Sequence, residues 1–463
     1  MKFLLSVLFS GAFLFAFSQG SSKIKLYFNH EVDTTFKRDQ IALNVGNKMV
    51  DTLISYINQC DSTLDIAIYN SFSANATSGL AGAINAAFNR GVKVRVIHDG
   101  GTSSTMVGLL NSGIPRIASP TTSAYTIMHH KFVVFDAKYS NAAAKPMVWT
   151  GSTNWTSAQI NGPDKNHSIL IEDRPLALAY TTEFEEMWGG STQTFNPLSS
   201  KFGPYKTDNT PHTFNVDGIL IESYFSPSDG TNAKIINALN TANVDIDVAT
   251  MLITKDDLAS TLISRYNSGV EVNVVIDNED PNGTDFYTLQ TAIGGQRIRK
   301  CVLSGQMHHK FAVIDNFAPD SDPQVITGSH NWTASADSKN DENTLIIHDA
   351  NIANQFYQAF AYLYGASGGE FKPNLSTDEL QLDENISVYP NPVDETLFFL
   401  QSLPNWNKEI PFQLLDLSGK TIQSGVFVNT PVQQLEVSSF RKGTYFLVLN
   451  FDGKQKTLKV LKH

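Results

Sequence analysis

Met128-His129-His130-Lys131-Phe132-Val133-Val134-Phe135-Asp136 and Met307-His308-His309-Lys310-Phe311-Ala312-Val313-Ile314-Asp315 are one pattern written twice. Each places a lysine two residues after a histidine and an aspartate five residues after the lysine, across an apolar run that reads as a buried strand. Residues i and i+2 of a strand share a face. His129 and Lys131 therefore point together, as do His308 and Lys310. His130 and His309 turn to the other face, where they are expected to be satisfied core histidines. Asp136 and Asp315 fall opposite the lysines, which suits a structural role behind the sheet. Both copies continue into Gly-Ser-x-Asn, at Gly151-Ser152-x-Asn154 and Gly328-Ser329-x-Asn331, with serine and asparagine on one face.

The repetition extends beyond the motif. Leu64-Asp65-Ile66-Ala67-Ile68 returns as Val244-Asp245-Ile246-Asp247-Val248, a step of 180 residues. The strand-like segment opening at Gly91 and ending in His98-Asp99 returns from Gly269 to Ile276-Asp277, a step of 178, and Met128 to Met307 is a step of 179. A solenoid repeats every 20–50 residues or so, so this period means two domain-sized copies. Each copy runs strand (24–28; 220–225), helix (45–58; 232–241), strand (64–69; 244–249), helix (80–89; 258–267), strand (92–97; 270–276), motif, and a closing aromatic helix (176–188; 352–364). Gly91 and Gly269 suit left-handed helix caps. Strands alternating with helices predict a mixed α/β (α+β) fold of two duplicated sheet-and-helix halves related by a pseudo-twofold. The halves are placed at 22–192 and 215–366, with a linker at 367–384. Residues 385–463 change to short alternating strands with turn signals, and predict a small β-sandwich.

Two imidazoles, two ammonium groups and two amides are the parts a phosphodiester displacement needs. Lysines and asparagines, with Ser152 and Ser329, can hold non-bridging oxygens and the charge that develops on phosphorus. One imidazole can attack while the other protonates the leaving oxygen. Each motif supplies half of this set, so one site is expected from both copies. No cofactor and no metal ligand set is expected, because lysine supplies the positive charge.

The doubled His-x-Lys-x4-Asp with Gly-Ser-x-Asn resembles the two motifs of the phospholipase D superfamily, over residues 23–365. That resemblance implies catalytic roles for His129, Lys131, Asp136, His308, Lys310 and Asp315, phosphate-binding or supporting roles for Ser152, Asn154, Ser329, Asn331 and Glu342, and a phosphohistidine intermediate. The family's acidic residue after Gly-Ser-x-Asn is present as Glu342 in the second copy. Asn166 takes its place in the first. The expected pairing is within each copy, Glu342 with His308 and Asn166 behind His129. This makes His308 the proton donor and His129 the nucleophile. The implied substrate is a phospholipid, with nucleic acid as the alternative, and the loops at 71–79, 250–257 and 277–284 are where specificity is expected. Tyr389-Pro390-Asn391-Pro392, Asp416-Leu417-Ser418-Gly419-Lys420 and Gly443-Thr444-Tyr445 are similar to the C-terminal sorting domain of type IX secretion substrates. This implies the outer-membrane secretion machinery of a Gram-negative bacterium as a partner, and a secreted or cell-surface location.

Composition fits these expectations. The 463 residues are 41% hydrophobic, enough for packed cores, and the net charge of −11 argues against nonspecific duplex binding. Lys2 followed by an apolar run over 3–17 and Ser18 reads as an export leader over 1–18, too short to span a bilayer. No later stretch is apolar enough to do so, and a soluble monomer is expected. Cys60 and Cys301 have no zinc-like spacing, and export leaves their pairing open.

Overall fold

The computed structural model describes residues 23–72, 74–122, 125–138, 144–280, 283–371, 386–401, 410–427, 432–451 and 454–463. The expected leader lies outside them, as does most of the expected linker. The chain divides into two compact units, Met1–Glu370 and Phe371–His463.

In the first copy the elements are β1 (Ile24–Phe28), α1 (Met49–Ile57), β2 (Thr63–Ile68), α2 (Ala74–Asn89), β3 (Lys93–His98), β4 (Arg116–Ala118), β5 (Lys131–Phe135), β6 (Met147–Gly151), α3 (Ser157–Ile160), β7 (His167–Glu172) and α4 (Arg174–Trp188). The second copy has β8 (Thr213–Val216), β9 (Ile219–Ser226), α5 (Thr231–Asn240), β10 (Asp245–Thr250), α6 (Asp256–Asn267), β11 (Glu271–Ile276), α7 (Phe286–Ile293), β12 (Ile298–Lys300), β13 (Lys310–Ile314), β14 (Gln324–Gly328), α8 (Ala334–Ser338), β15 (Glu342–His348) and α9 (Ala350–Ala366). The sheets run β1-β7-β6-β5-β2-β3-β4 and β12-β11-β10-β13-β14-β15-β9-β8. Read in opposite directions they are the same order, with β8 as an added edge. The β2-β3-β4 and β10-β11-β12 pairs are parallel and the rest antiparallel.

Alternation along the strands separates two faces. Leu64, Ile66, Ile68, Val94 and Val96 bury against α1 and α2, and Ile246, Val248, Val272, Val274 and Ile276 do the same in the second copy's core. The opposite faces carry α4 and α9. There Arg95 pairs with Asp65 at 2.7 Å and lies over the Phe184 ring of α4, 4.9 Å from its centroid. These inner helices also join the copies. Phe356 of α9 meets Phe28 of β1 edge-on at 5.5 Å, and Tyr180 of α4 meets Phe225 of β9 at 5.0 Å. Emptying a fully buried phenylalanine site such as 356 costs about 3–5 kcal/mol, so the copies fold as one body.

Local chemistry sets the helix ends. Asp173 caps α4 by accepting from Leu176 N, Pro175 occupies its first turn, and Gly189 closes it at φ +80°. Asp349 caps α9 through Asn351 N and Ile352 N. Two local expectations change. Alpha-helix α2 starts at Ala74, so most of the loop expected at 71–79 is its first turns. The hairpin strand β8 and the short helix α7 escaped the sequence pattern, each being too short to show a period.

The second unit has β16 (Ile386–Tyr389), β17 (Thr396–Gln401), β18 (Ile410–Asp416), β19 (Thr421–Phe427), β20 (Val432–Glu436), β21 (Gly443–Phe451) and β22 (Lys454–Lys462). They form two antiparallel sheets, β16-β17-β20 and β19-β18-β21-β22. Leu435 from one sheet and Leu414 and Leu447 from the other share its core.

Candidate active site

The motif strands β5 and β13 are central in their sheets, and the residues entering them are held by backbone from the other copy. His129 N donates to Asp341 O and His308 N to Lys165 O, both at 2.9 Å. Each entry is also clamped from its own copy: Met128 N donates to Asp99 Oδ1 at 2.9 Å and Met307 N to Asp277 Oδ1 at 2.8 Å. Asp99 and Asp277 were not singled out from the sequence, although they end the repeated strand segments that precede both motifs.

This exchange decides what stands behind each imidazole. Glu342 follows Asp341, and its Oε2 accepts from His129 Nδ1 at 2.7 Å and from Ser329 Oγ at 2.8 Å. Asn166 follows Lys165, and its Oδ1 accepts from His308 Nδ1 at 3.1 Å, alongside Ser152 O at 3.0 Å. The pairing expected within each copy is therefore wrong. The carboxylate serves His129 and the amide serves His308, because β15 and β7 each begin against the other copy's motif. Both rings donate from Nδ1, which leaves Nε2 as the free nitrogen of each.

Lys131 Nζ donates to His129 O at 2.6 Å and Lys310 Nζ to His308 O at 2.7 Å. The Lys131 ammonium also lies 5.1 Å from the Tyr69 ring centroid, and that ring meets His129 edge-on at 4.7 Å. The four groups feel one another. Burial, then Lys131 and Lys310, hold His129 well below the usual histidine range, and burial with the same two lysines does so for His308. Burial brings Lys131 down to about 7, against the pull of Glu342 and Asp99. Burial, with Lys131 next, depresses Lys310 strongly. Burial raises the Glu342 carboxyl, opposed first by Lys131. An anion entering this site would relieve the repulsion and return the lysines to their charged form.

The Gly-Ser-x-Asn segments hold the supports. Gly151 and Gly328 sit at φ +147° and +145°, where a Cβ would come within 2.4 Å of His167 O and 2.1 Å of Asn343 O. Only glycine lets these strands approach so closely. The following hydroxyls are thereby aimed at Asn166 (Ser152 Oγ to Oδ1, 3.3 Å) and at Glu342. Ser152 and Ser329 thus orient the groups behind the histidines. Asn154 and Asn331 are buried or nearly so, and each side-chain oxygen has no partner among the described residues.

Asp136 and Asp315 do not join this cluster. Asp136 accepts from the amides of Asp61, Ser62 and Thr63, and Asp315 from those of Asn243, Val244 and Asp245 and from Ser321 Oγ. Each lysine opens a five-residue strand and each aspartate follows its end, on the order of 15 Å away. Their place with the catalytic residues is therefore corrected: they tie the far ends of β5 and β13 to the starts of β2 and β10. His130 and His309 are fully buried on the inner face, where His130 Nε2 meets Glu183 Oε1 at 2.8 Å. Cys60 and Cys301 are buried free thiols.

The family model described as "Cardiolipin synthase, PLD-like domain" matches residues 53–188 and 235–364, and "Secretion system C-terminal sorting domain" matches 387–463. Mitochondrial cardiolipin hydrolases of Chlamydomonas reinhardtii and Xenopus tropicalis are 29% and 32% identical over 142 and 139 residues, 30% of this chain and 60% and 62% of theirs. A phospholipase D of Rickettsia bellii is 30% identical over 140 residues, 30% of this chain and 66% of its own. The matched segment thus spans under two thirds of these relatives. Among solved structures, phosphatidylserine synthase of Haemophilus influenzae shares the fold with a TM-score of 0.52 at 12% identity, covering 73% of this chain and 84% of its own. Among the described residues no helix is long and apolar enough to cross a membrane.

Proposed function

The chain belongs to the phospholipase D-like family, and from that premise we propose that it is a phosphodiesterase that hydrolyses phospholipid head-group esters through a phosphohistidine on His129. One observation carries the assignment: of the two free-Nε2 imidazoles, only His129 has a carboxylate at its Nδ1. Attack by Nε2 on phosphorus forms the N–P bond and makes the ring a cation, inside a buried site that already holds two lysines. Glu342 balances that charge. The anionic diester draws a second proton from solvent onto His308 Nε2 as it binds, and His308, backed by neutral oxygens, gives that proton to the leaving alcohol as the P–O bond breaks. In the second step His308 takes a proton from water, whose oxygen attacks phosphorus, and the N–P bond breaks to restore His129. Lys131 and Lys310 would hold the non-bridging oxygens throughout.

The names of the relatives support a lipid diester, and the match over residues 387–463 supports delivery to the outside of the cell. The test is turnover by the purified protein on phosphatidylcholine, cardiolipin, and single- and double-stranded DNA and RNA, with EDTA present. Release of head group or phosphatidic acid supports the reading. Cleavage of nucleic acid alone, or activity only with added divalent ion, overturns it.

A further inference from the structure

Behind β13 three imidazoles form a continuous buried chain across the junction of the copies. His30 Nδ1 meets Glu31 O at 2.7 Å, and His30 Nε2 meets His309 Nε2 at 2.7 Å. His309 Nδ1 meets His167 Nδ1 at 2.9 Å, and His167 Nε2 meets Thr327 Oγ1 at 2.5 Å. His30 and His167 come from the first copy, His309 and Thr327 from the second. Phe28 and Phe356 pack against His167, Phe28 and Phe311 against His309, so the chain lies in an apolar box where an unmet polar atom is destabilising.

The proton positions follow from one end. Glu31 O is a carbonyl and can only accept, so His30 carries its hydrogen on Nδ1. A neutral ring has one N–H. His30 Nε2 is then an acceptor and must be met by His309 Nε2–H. His309 Nδ1 becomes an acceptor, met by His167 Nδ1–H, and His167 Nε2 accepts from the Thr327 hydroxyl. Every contact receives one hydrogen, and no other assignment of three neutral rings achieves this. Burial keeps the rings neutral at ordinary pH, His30 at about 4 and His167 at about 3.

The chain touches the site at two places. His309 lies between His308 and Lys310 in sequence. His167 follows Asn166, and its Nδ1 also lies 3.4 Å from Ser152 Oγ, the hydroxyl that donates to the Asn166 oxygen behind His308. The other copy uses different chemistry at the matching position: His130 contacts Glu183, which pairs with Lys206, itself 3.0 Å from Asp341.

We propose that His30, which lies outside both motifs, is a positioning residue for the proton donor: by anchoring the polarity of the His30–His309–His167 chain it fixes the orientation of His308 and of its partner Asn166. The proposal rests on the phosphodiesterase reading for its kinetic consequence only. The chain itself is read without substrate.

The experiment combines nitrogen-15 imidazole spectra of the full chain with two variants. In the wild type, at pH 6–8, His30 and His167 should be protonated at Nδ1 and His309 at Nε2. A His309 protonated at Nδ1, or at both nitrogens, overturns the proposal whether or not any diester is turned over. His30→Phe fills the space without an acceptor. It should shift the His308 titration midpoint while leaving that of His129 in place, and lower kcat on the order of tenfold at unchanged KM. His30→Gln can accept from His309 with its carbonyl and donate to Glu31 O with its amide, and should restore kcat to within about threefold of wild type. Equal losses in the two variants, or equal shifts at His129 and His308, would reduce His30 to a packing residue. If the wild type cleaves no diester, the phosphodiesterase reading falls, while the spectra and the titration midpoints still decide the role of His30.

Discussion

His129 leans on a carboxylate and His308 on two neutral oxygens, although the strands they lead into hold the same place in sheets of the same order. The backbone is symmetric and the chemistry is not. The proposed reaction needs one of two like imidazoles to bind phosphorus and the other to move a proton. A single position resolves this, Asn166 in one copy against Glu342 in the other. Because each copy's support reaches across to its partner's histidine, neither half holds a complete working unit.

The largest effects expected test what the copies share. Lys131→Met and Lys310→Met should each lower kcat about 10³-fold, as removal of a charge-stabilising donor does, measured on whichever diester the purified enzyme turns over. If either were silent, the two-lysine clamp would be broken as an idea.

Next comes the asymmetry itself. Glu342→Gln should cost about 10²-fold in kcat, and Asn166→Ala only several-fold, since a neutral hydrogen bond is worth about 1 kcal/mol and one to a charged group two or more. The reverse ranking would move the nucleophile to His308.

A smaller effect should appear in the pH profile. Burial brings Lys131 down to about 7. The ammonium is present below that pH and lost above it, so kcat/KM for an anionic diester should fall as pH rises from 7 to 9. In the bound complex the phosphate anion raises the lysine again, and kcat should stay flatter. A kcat/KM that climbs through this range would contradict the assignment of Lys131 to the phosphate.

The smallest expected effects on kcat lie at the far strand ends. Asp136→Asn and Asp315→Asn should lower the unfolding free energy of the larger unit, read from urea titration, by about 1–3 kcal/mol each, with kcat per folded molecule unchanged. Asp315 should cost more, because it also accepts from Ser321 and from the Asn243 side chain. A loss of kcat without a loss of stability would return these aspartates to the catalytic set.

Much of this was legible in the chain. The step of about 180 residues placed two sheets of one topology, and the i, i+2 spacing put histidine with lysine and turned the neighbouring histidines inward. The partner of each imidazole was not legible. Glu342 is nearer His308 in sequence, and only the meeting of β15 with the segment entering β5 sends it to His129. Linear order carries no sign of such an exchange. His30, Glu183 and Lys206 were invisible for a related reason: each supports a motif residue from a distant element, without a motif of its own. Asp99 and Asp277 could have been found, since they recur at the repeat offset beside the strand ends.

The most direct test of the division of labour is to trap the intermediate. With a labelled diester whose leaving group needs no protonation, His308→Ala should form a phosphoenzyme on His129 that survives quenching and accumulates, because the general base for its hydrolysis is gone. His129→Ala should form none. A phosphoenzyme in His129→Ala, carried by His308, with none in His308→Ala, would contradict the account.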